Sequence, residues 1–428
     1  MRMTSPVRDS LAILEDAEFS SCECSLHDTV SREVSLEQGR LDLLRTMEES
    51  DLYLTGVRNG SRASTRISRC IESEVRESAQ NLRKLADSSP SDPAFSIAPF
   101  QNAPFREKGP VQADAAGMIE RLNELQKHCF THYPELHLRR VTLNFQNTRQ
   151  SYGNSNGTMM SSRLGVYLMN MIFSARRGQA GSSFNYASFR LPDLENSLHE
   201  RANVDDLFRQ SVEQLDSRRV PAGFTGDVVL TPNCLAYFLY LLVTQLQDEA
   251  VIRGTSLYQE RPGQKIADER FNFSITPVNT ELAHGSFITP DGFPAKNQAV
   301  IRKGVLKSFL LSHFGACKTG FQRAGYHADF YDVQPGDTPL QEMICSVDKG
   351  LLITRFSGGM PDENGSFSGV AKNSYYIENG KVQYPVKETM VRMNLREMLT
   401  GIRDVSFERL NLGAFLLPWI QFSNIPVE

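Results

Sequence analysis

No stretch of this 428-residue chain is apolar for long enough to cross a bilayer. The longest apolar run, Cys234 to Val243, falls well short of the roughly 18 to 20 residues that a spanning helix needs. The opening segment MRMTSPVRDSLAILEDAEF is broken every few residues by Asp, Glu or Arg and has no apolar core followed by a small-residue cleavage site, so no secretory signal is expected. Basic excess is also missing. The 46 Lys and Arg are outnumbered by 50 Asp and Glu, and a net charge of -4 argues against a dedicated nucleic-acid binder. Cysteine is sparse, scattered and odd in number, seven residues at 22, 24, 70, 129, 234, 317 and 345, which suits reduced thiols and not a disulfide framework. The expectation is a cytoplasmic chain whose partners are neither membrane nor nucleic acid.

Most catalytic signatures are missing as well. There is no Walker A sequence, no GxGxxG after a strand and no GxSxG; the nearest approach, Gly365 to Gly369, has Phe367 where the nucleophile would stand. No HExxxH occurs. His199-Glu200 begins one, but position 204 is Val. His128 and His132, in KHCFTHYPELH, are four apart and form a weak alternative zinc pair. The plainer reading is that a helix ends before Pro134, where polar side chains in the last turn are favoured by its free carbonyls. Cys317 and Cys345 would be nucleophiles only with a His close in space, and the residues themselves favour buried structural thiols.

What is present divides the chain into an N-terminal α/β domain at 1–190, a polar linker at 191–220, and a β-rich, mostly antiparallel domain at 221–428, an α+β fold. Leu52 to Arg58 and Ser61 to Arg66 flank Asn59-Gly60, a type I′ hairpin signal. Val75, Ala79, Leu82, Leu85 and Ala86 mark one helix face, and Met118, Ile119, Leu122 and Leu125 mark a second helix over 115–129. The apolar alternation predicts strands over 138–146 and 163–174, the latter covered on both faces. The segment Val204 to Leu215 is helical within the linker. A helix over 233–246 is apolar almost all round and must be buried. Short strands then follow, at 273–275, 299–301, 305–311, 350–355, 374–378 and 381–384, with Asn379-Gly380 as a second hairpin turn. Ser357, Gly358, Gly359 and Gly369 read equally as a peptide-gripping loop or as a hairpin end needing positive φ.

The block from Ile353 to Leu395, ITRFSGGMPDENGSFSGVAKNSYYIENGKVQYPVKETMVRMNL, resembles the TldD/PmbA family, within it the PmbA (TldE) branch. Weaker agreement lies in Asn154 to Gly157, DVVLTP, the GTSL at 254–257 and AVIRKGVLKSFLLS at 299–312. Catalytic members of the TldD branch carry HExxxH on the helix after the first strand of the second half. Setting that pattern on this chain puts Tyr240, Leu241 and Gln245 at the His, Glu and His positions. The Cys near the C-terminus that completes the zinc site has no counterpart after Cys345. The resemblance therefore implies a zinc-free, non-catalytic chain. It would pair with a TldD-type catalytic subunit that holds the zinc, or with itself, in a dimer enclosing a chamber for unfolded or small peptide substrates. Two other readings stay open: a stand-alone peptide-binding scaffold, and a peptidase with atypical metal ligands.

Overall fold

The computed structural model describes residues 5–221, 223–259 and 261–428. Among them the strands form two sheets, one of eight strands and one of thirteen. The first is built on a long hairpin, Ser21–Glu37 with Arg40–Arg58, extended on one side by Ser61–Ile67 and on the other by Leu136–Asn154 and Met159–Arg177. Asn59 and Gly60 take φ of 51° and 76°, the pair of positive values that a type I′ turn requires, and the anticipated hairpin closes with Arg58 opposite Ser61 and Leu52 opposite Ile67.

Helices pack on one face of this sheet. Ser5–Asp16 and Glu72–Ser88 bury Val7, Leu14, Val75, Ala79 and Leu82 against Cys22, Cys24, Leu26, Leu52 and Leu54. Further along the same strands, Ala115–His132 buries Met118, Leu122, Leu125 and Cys129 against Val34, Leu36, Val141 and Leu143. Because side chains alternate across a strand, the odd-numbered residues of Ser21–Glu37, among them Glu23, Ser25 and His27, face the other way. The helix Val204–Glu213 also belongs to this first core, through Val204, Leu207 and Phe208, with Phe208 edge-on to Phe173 at 5.0 Å.

The second sheet is mixed but mainly antiparallel. Its centre is Phe224–Leu230, flanked by the parallel strand Lys349–Ile353 and the antiparallel strand Leu416–Val427. Asn379 and Gly380, at φ 51° and 71°, turn the hairpin between Tyr375–Glu378 and Lys381–Pro385. Tyr375 and Tyr376 are buried, as packing residues should be.

Three expectations need correction. The strand Met159–Arg177 is not covered on both faces along its length: Asn170 and Ile172 are exposed, because the helices Ala115–His132 and Val204–Glu213 pack on the face carrying Met169, Met171 and Phe173. The strand anticipated at 305–311 stops at Leu306, since the Leu310 N–H leaves the ladder and donates to Leu246 O at 2.8 Å. Leu85 is exposed and not on the buried face of its helix.

The two halves meet along a packed seam. Phe95 stacks on Phe314 at 5.0 Å, Lys318 pairs with Asp92 at 2.5 Å, and the Arg190 N–H donates to Leu412 O at 3.0 Å. Phe208→Ala is expected to lower unfolding free energy by about 3–5 kcal/mol, the cost of a large aromatic cavity, as read by urea denaturation.

Candidate functional site

The helix Pro232–Leu246 starts where the central strand of the second sheet ends. Thr231 is extended at φ -72°, and its N–H is held by Ile353 O at 3.1 Å. Pro232 takes the first helical turn, where its missing N–H costs nothing. Cys234, Leu235, Phe238, Leu239, Leu241, Leu242, Val243 and Leu246 are all buried, so the helix is enclosed almost all round.

Tyr240 is the exception, 49% exposed. Leu241 is fully buried in the main core of the second half. Gln245 is bound on both its side chain and its backbone: Oε1 accepts the Leu257 N–H at 3.2 Å, and its carbonyl accepts the Ser256 hydroxyl at 2.6 Å. Zinc takes imidazole, thiolate or carboxylate donors. A phenol, an alkyl chain and an engaged amide do not supply them, so the residues at these three positions do not fit the metal.

The glycine-rich hairpin sits against this helix. Arg355–Gly358 pairs with Ser366–Lys372, placing Gly358 opposite Gly369. Tyr237 donates its hydroxyl to Gly358 O at 3.1 Å, and Phe238 packs on Phe356 and Phe367 at 5.3 and 5.8 Å. The Phe356 ring explains two of the glycines: a Cβ on Gly358 would lie 2.3 Å from it, and one on Gly369 would lie 2.4 Å away. Gly365 alone of this run needs positive φ, at 88°. Gly359 has open space around it, and Ser357 and Met360 are exposed. Tyr237, Phe238 and Phe356, which hold the loop to the helix, carried no motif in the sequence; their spacing toward the glycines emerges only from the pairing.

His128 and His132 come together. Their rings lie 4.6 Å apart, His199 stacks on His128 at 3.8 Å, and His128 Nε2 is 2.6 Å from Asp205 Oδ1. Burial raises the Asp205 carboxyl, and the bonds from His128 and Tyr133 outweigh it and hold it below its ordinary value. Among the described residues no group of three or more His, Cys, Asp or Glu is arranged to hold a metal ion.

Cys317 and Cys345 are exposed, against the expectation of burial, because each sits on a short surface helix, His313–Thr319 and Leu340–Cys345. Cys317 does have a His nearby. Ser96 Oγ lies 3.6 Å from its sulfur and 3.0 Å from His313 Nε2. Asp291 accepts the His313 backbone N–H at 2.7 Å and does so without engaging the ring in that bond. The His313 to Cys317 spacing of one helical turn was the available signal.

Two contrasts follow, both read by urea denaturation. Leu241→Glu is expected to cost about 3 kcal/mol or more, for a carboxylate with no partner in the core, whereas Tyr240→His stays within about 0.5 kcal/mol. Gly369→Ala is expected to cost about 1–3 kcal/mol through collision with Phe356, while Gly359→Ala stays within about 0.5 kcal/mol.

The arrangement has clear relatives. The profile of the PmbA/TldA metallopeptidase C-terminal domain matches residues 224–428. A metalloprotease PmbA homolog from Haemophilus influenzae is 22% identical over 285 residues, 64% of this chain and 62% of that protein. A zinc metalloprotease TldD homolog from Saccharolobus solfataricus is 24% identical over 214 residues, 47% of this chain and 48% of the relative. The matches thus span about half to three-fifths of the length of these curated relatives. The crystal structure of TldE from Thermococcus kodakarensis superposes with a TM-score of 0.85 at 17% identity, covering 99% of each chain. The chain carries, over residues 224–428, the metallopeptidase-like C-terminal domain of the PmbA/TldD family, and it has the TldE fold along its length.

Proposed function

We propose that this chain is the zinc-free, non-catalytic subunit of a cytoplasmic TldD/TldE-type peptidase, pairing with a TldD-type subunit that holds the zinc. The observation that carries this reading is the helix Pro232–Leu246. At the positions where catalytic relatives place His, Glu and His, this chain has an exposed Tyr240, a fully buried Leu241 and a Gln245 committed to the 256–257 backbone. Such a helix packs and does not coordinate.

The subunit's part in the work is to shape the chamber and hold peptide. Arg355–Gly358 is hydrogen-bonded to a strand on one side only, and its other edge, where the Gly358 carbonyl already accepts from Tyr237, is the place for an unfolded or small peptide to add as a further strand. A domain division at 1–190, 191–220 and 221–428 goes with this reading, the first part supporting the second. Among the described residues no helix is long and apolar enough to cross a membrane.

Native mass spectrometry of the tagged chain drawn from its own host tests the proposal, since one spectrum gives partner mass and bound metal together. The expected species is a complex with a second chain carrying zinc. A metal-free homodimer without another partner favours the scaffold reading instead, and zinc on this chain alone overturns the assignment.

A further inference from the structure

A cavity of about 310 Å³ lies where the helix-free face of the first sheet meets the 286–290 loop of the second half. Strand register builds its floor. Ser25 stands opposite Tyr53 on one neighbouring strand and Tyr152 on the other, while Glu23 stands opposite Thr55. Ile288, Pro290 and Tyr326 close it from above.

One end is charged. Glu23 is 8% exposed, with Oε2 accepting the Tyr152 hydroxyl at 2.8 Å and Oε1 lying 3.3 Å from Arg62 Nη2. Among the described residues the Arg62 guanidinium has no hydrogen bond other than this one to Glu23, and the side chain is a third exposed, so several of its N–H groups are free. Both halves contribute to this end. Gly292, at φ 82°, comes so close that a Cβ there would lie 2.0 Å from the Tyr152 hydroxyl oxygen.

A carboxylate beside a guanidinium with donors to spare is the complement of a zwitterion. An ammonium group is drawn to the first, and a carboxylate forms a charge-assisted, two-pronged contact with the second. The lining also offers the rings of Tyr53 and Tyr326 with Ile288 and Pro290, apolar surface for a side chain, beside the polar His27, Gln150 and Ser286. The volume sits at the lower end for small-molecule sites, which run from roughly 300 Å³ upward, and has room for one residue and not for a folded segment.

We propose that this cavity binds a single free apolar or aromatic α-amino acid, with its carboxylate on Arg62, its ammonium on Glu23 and its side chain against Tyr53, Tyr326 and Ile288. The site is separate from the helix Pro232–Leu246 and does not depend on the peptidase reading.

Isothermal titration of the full chain with L-phenylalanine and L-leucine tests it, alongside L-phenylalaninamide and N-acetyl-L-phenylalanine, which each remove one charge. The expected result is binding of a free amino acid, weakened about tenfold or more by either modification and by Arg62→Gln. Ser25→Phe, which fills the floor, is expected to abolish it while a circular-dichroism melt shows the chain folded. Neither amino acid binding at up to about 10 mM, a level that would still report millimolar affinity, overturns the proposal. So does equal binding of the amide and acetyl derivatives to wild-type protein, a result that needs no variant to fold.

Discussion

Burial of the helix Pro232–Leu246 is the constraint on which the second half depends. It follows directly from the central strand, and its apolar residues reach the main core in several directions at once. At roughly 1.5–3 kcal/mol for each large side chain removed from water, these contacts dominate the local energetics. A metal site on the same helix would have to be cut out of that core. Leu241 cannot become a carboxylate without losing packing and stranding a charge, so the absence of a zinc motif is tied to how the sheet is held together.

The first sheet is organised by an asymmetry between its faces. Helices occupy the side bearing Cys22, Cys24, Leu26, Val34 and Leu36, which leaves the opposite side for polar and aromatic residues. Where the second half comes down on that side, it meets Glu23, Tyr152 and their neighbours and not a dry apolar surface. Buried polar groups must then be satisfied locally, and around Glu23 they are: Asn154 Nδ2 contacts the Tyr152 hydroxyl at 3.3 Å, and that hydroxyl bonds Glu23. The glutamate is kept because it has partners. The cavity persists because the loop above it is fixed elsewhere, through Thr289 and Asp291 to Arg323.

The sequence made some of this legible and hid the rest for physical reasons. Asn59-Gly60 and Asn379-Gly380 announced their turns because few residues other than Asn and Gly tolerate positive φ. The helices at 72–88 and 115–132 were visible in their apolar spacing, and the helix at 232–246 in its near-total apolarity. The outer part of Arg40–Arg58 was not, since its exposed residues from Arg40 to Glu49 carry no alternation to read. Leu416–Val427 contains Pro418 and Pro426, which argue against a strand on sequence grounds, yet it runs beside the central strand with its ladder broken by an irregularity between Phe422 and Ile425. The exposure of Cys317 and Cys345 was hidden because composition does not say which side of a short helix faces water. The cavity was invisible for a different reason: Glu23, Arg62 and Tyr152 are assembled only by the register of four strands, and Ile288 reaches them from a loop of the second half.

The helix Pro232–Leu246 is tied at more than one residue to the loop it faces. Gln245 holds Leu257 by its N–H, and the Leu257 carbonyl in turn accepts from Arg396 at 2.7 Å. Leu257 also packs against Gly365, where a Cβ would come within 3.2 Å of its methyl group, and the Gly365 carbonyl receives the Leu395 N–H at 2.8 Å. Meanwhile Tyr237 and Phe238, earlier on the same helix, fix Gly358 and Phe356 at the other end of that hairpin. The helix therefore grips the glycine-rich loop at two points, and the amide at position 245 is part of the grip. Replacing the Gln245 amide would release the Leu257 N–H and loosen the loop. Interactions that share partners in this way do not add independently, so metal binding at this helix requires several compensated changes together. The helix is committed to the architecture of the loop beside it.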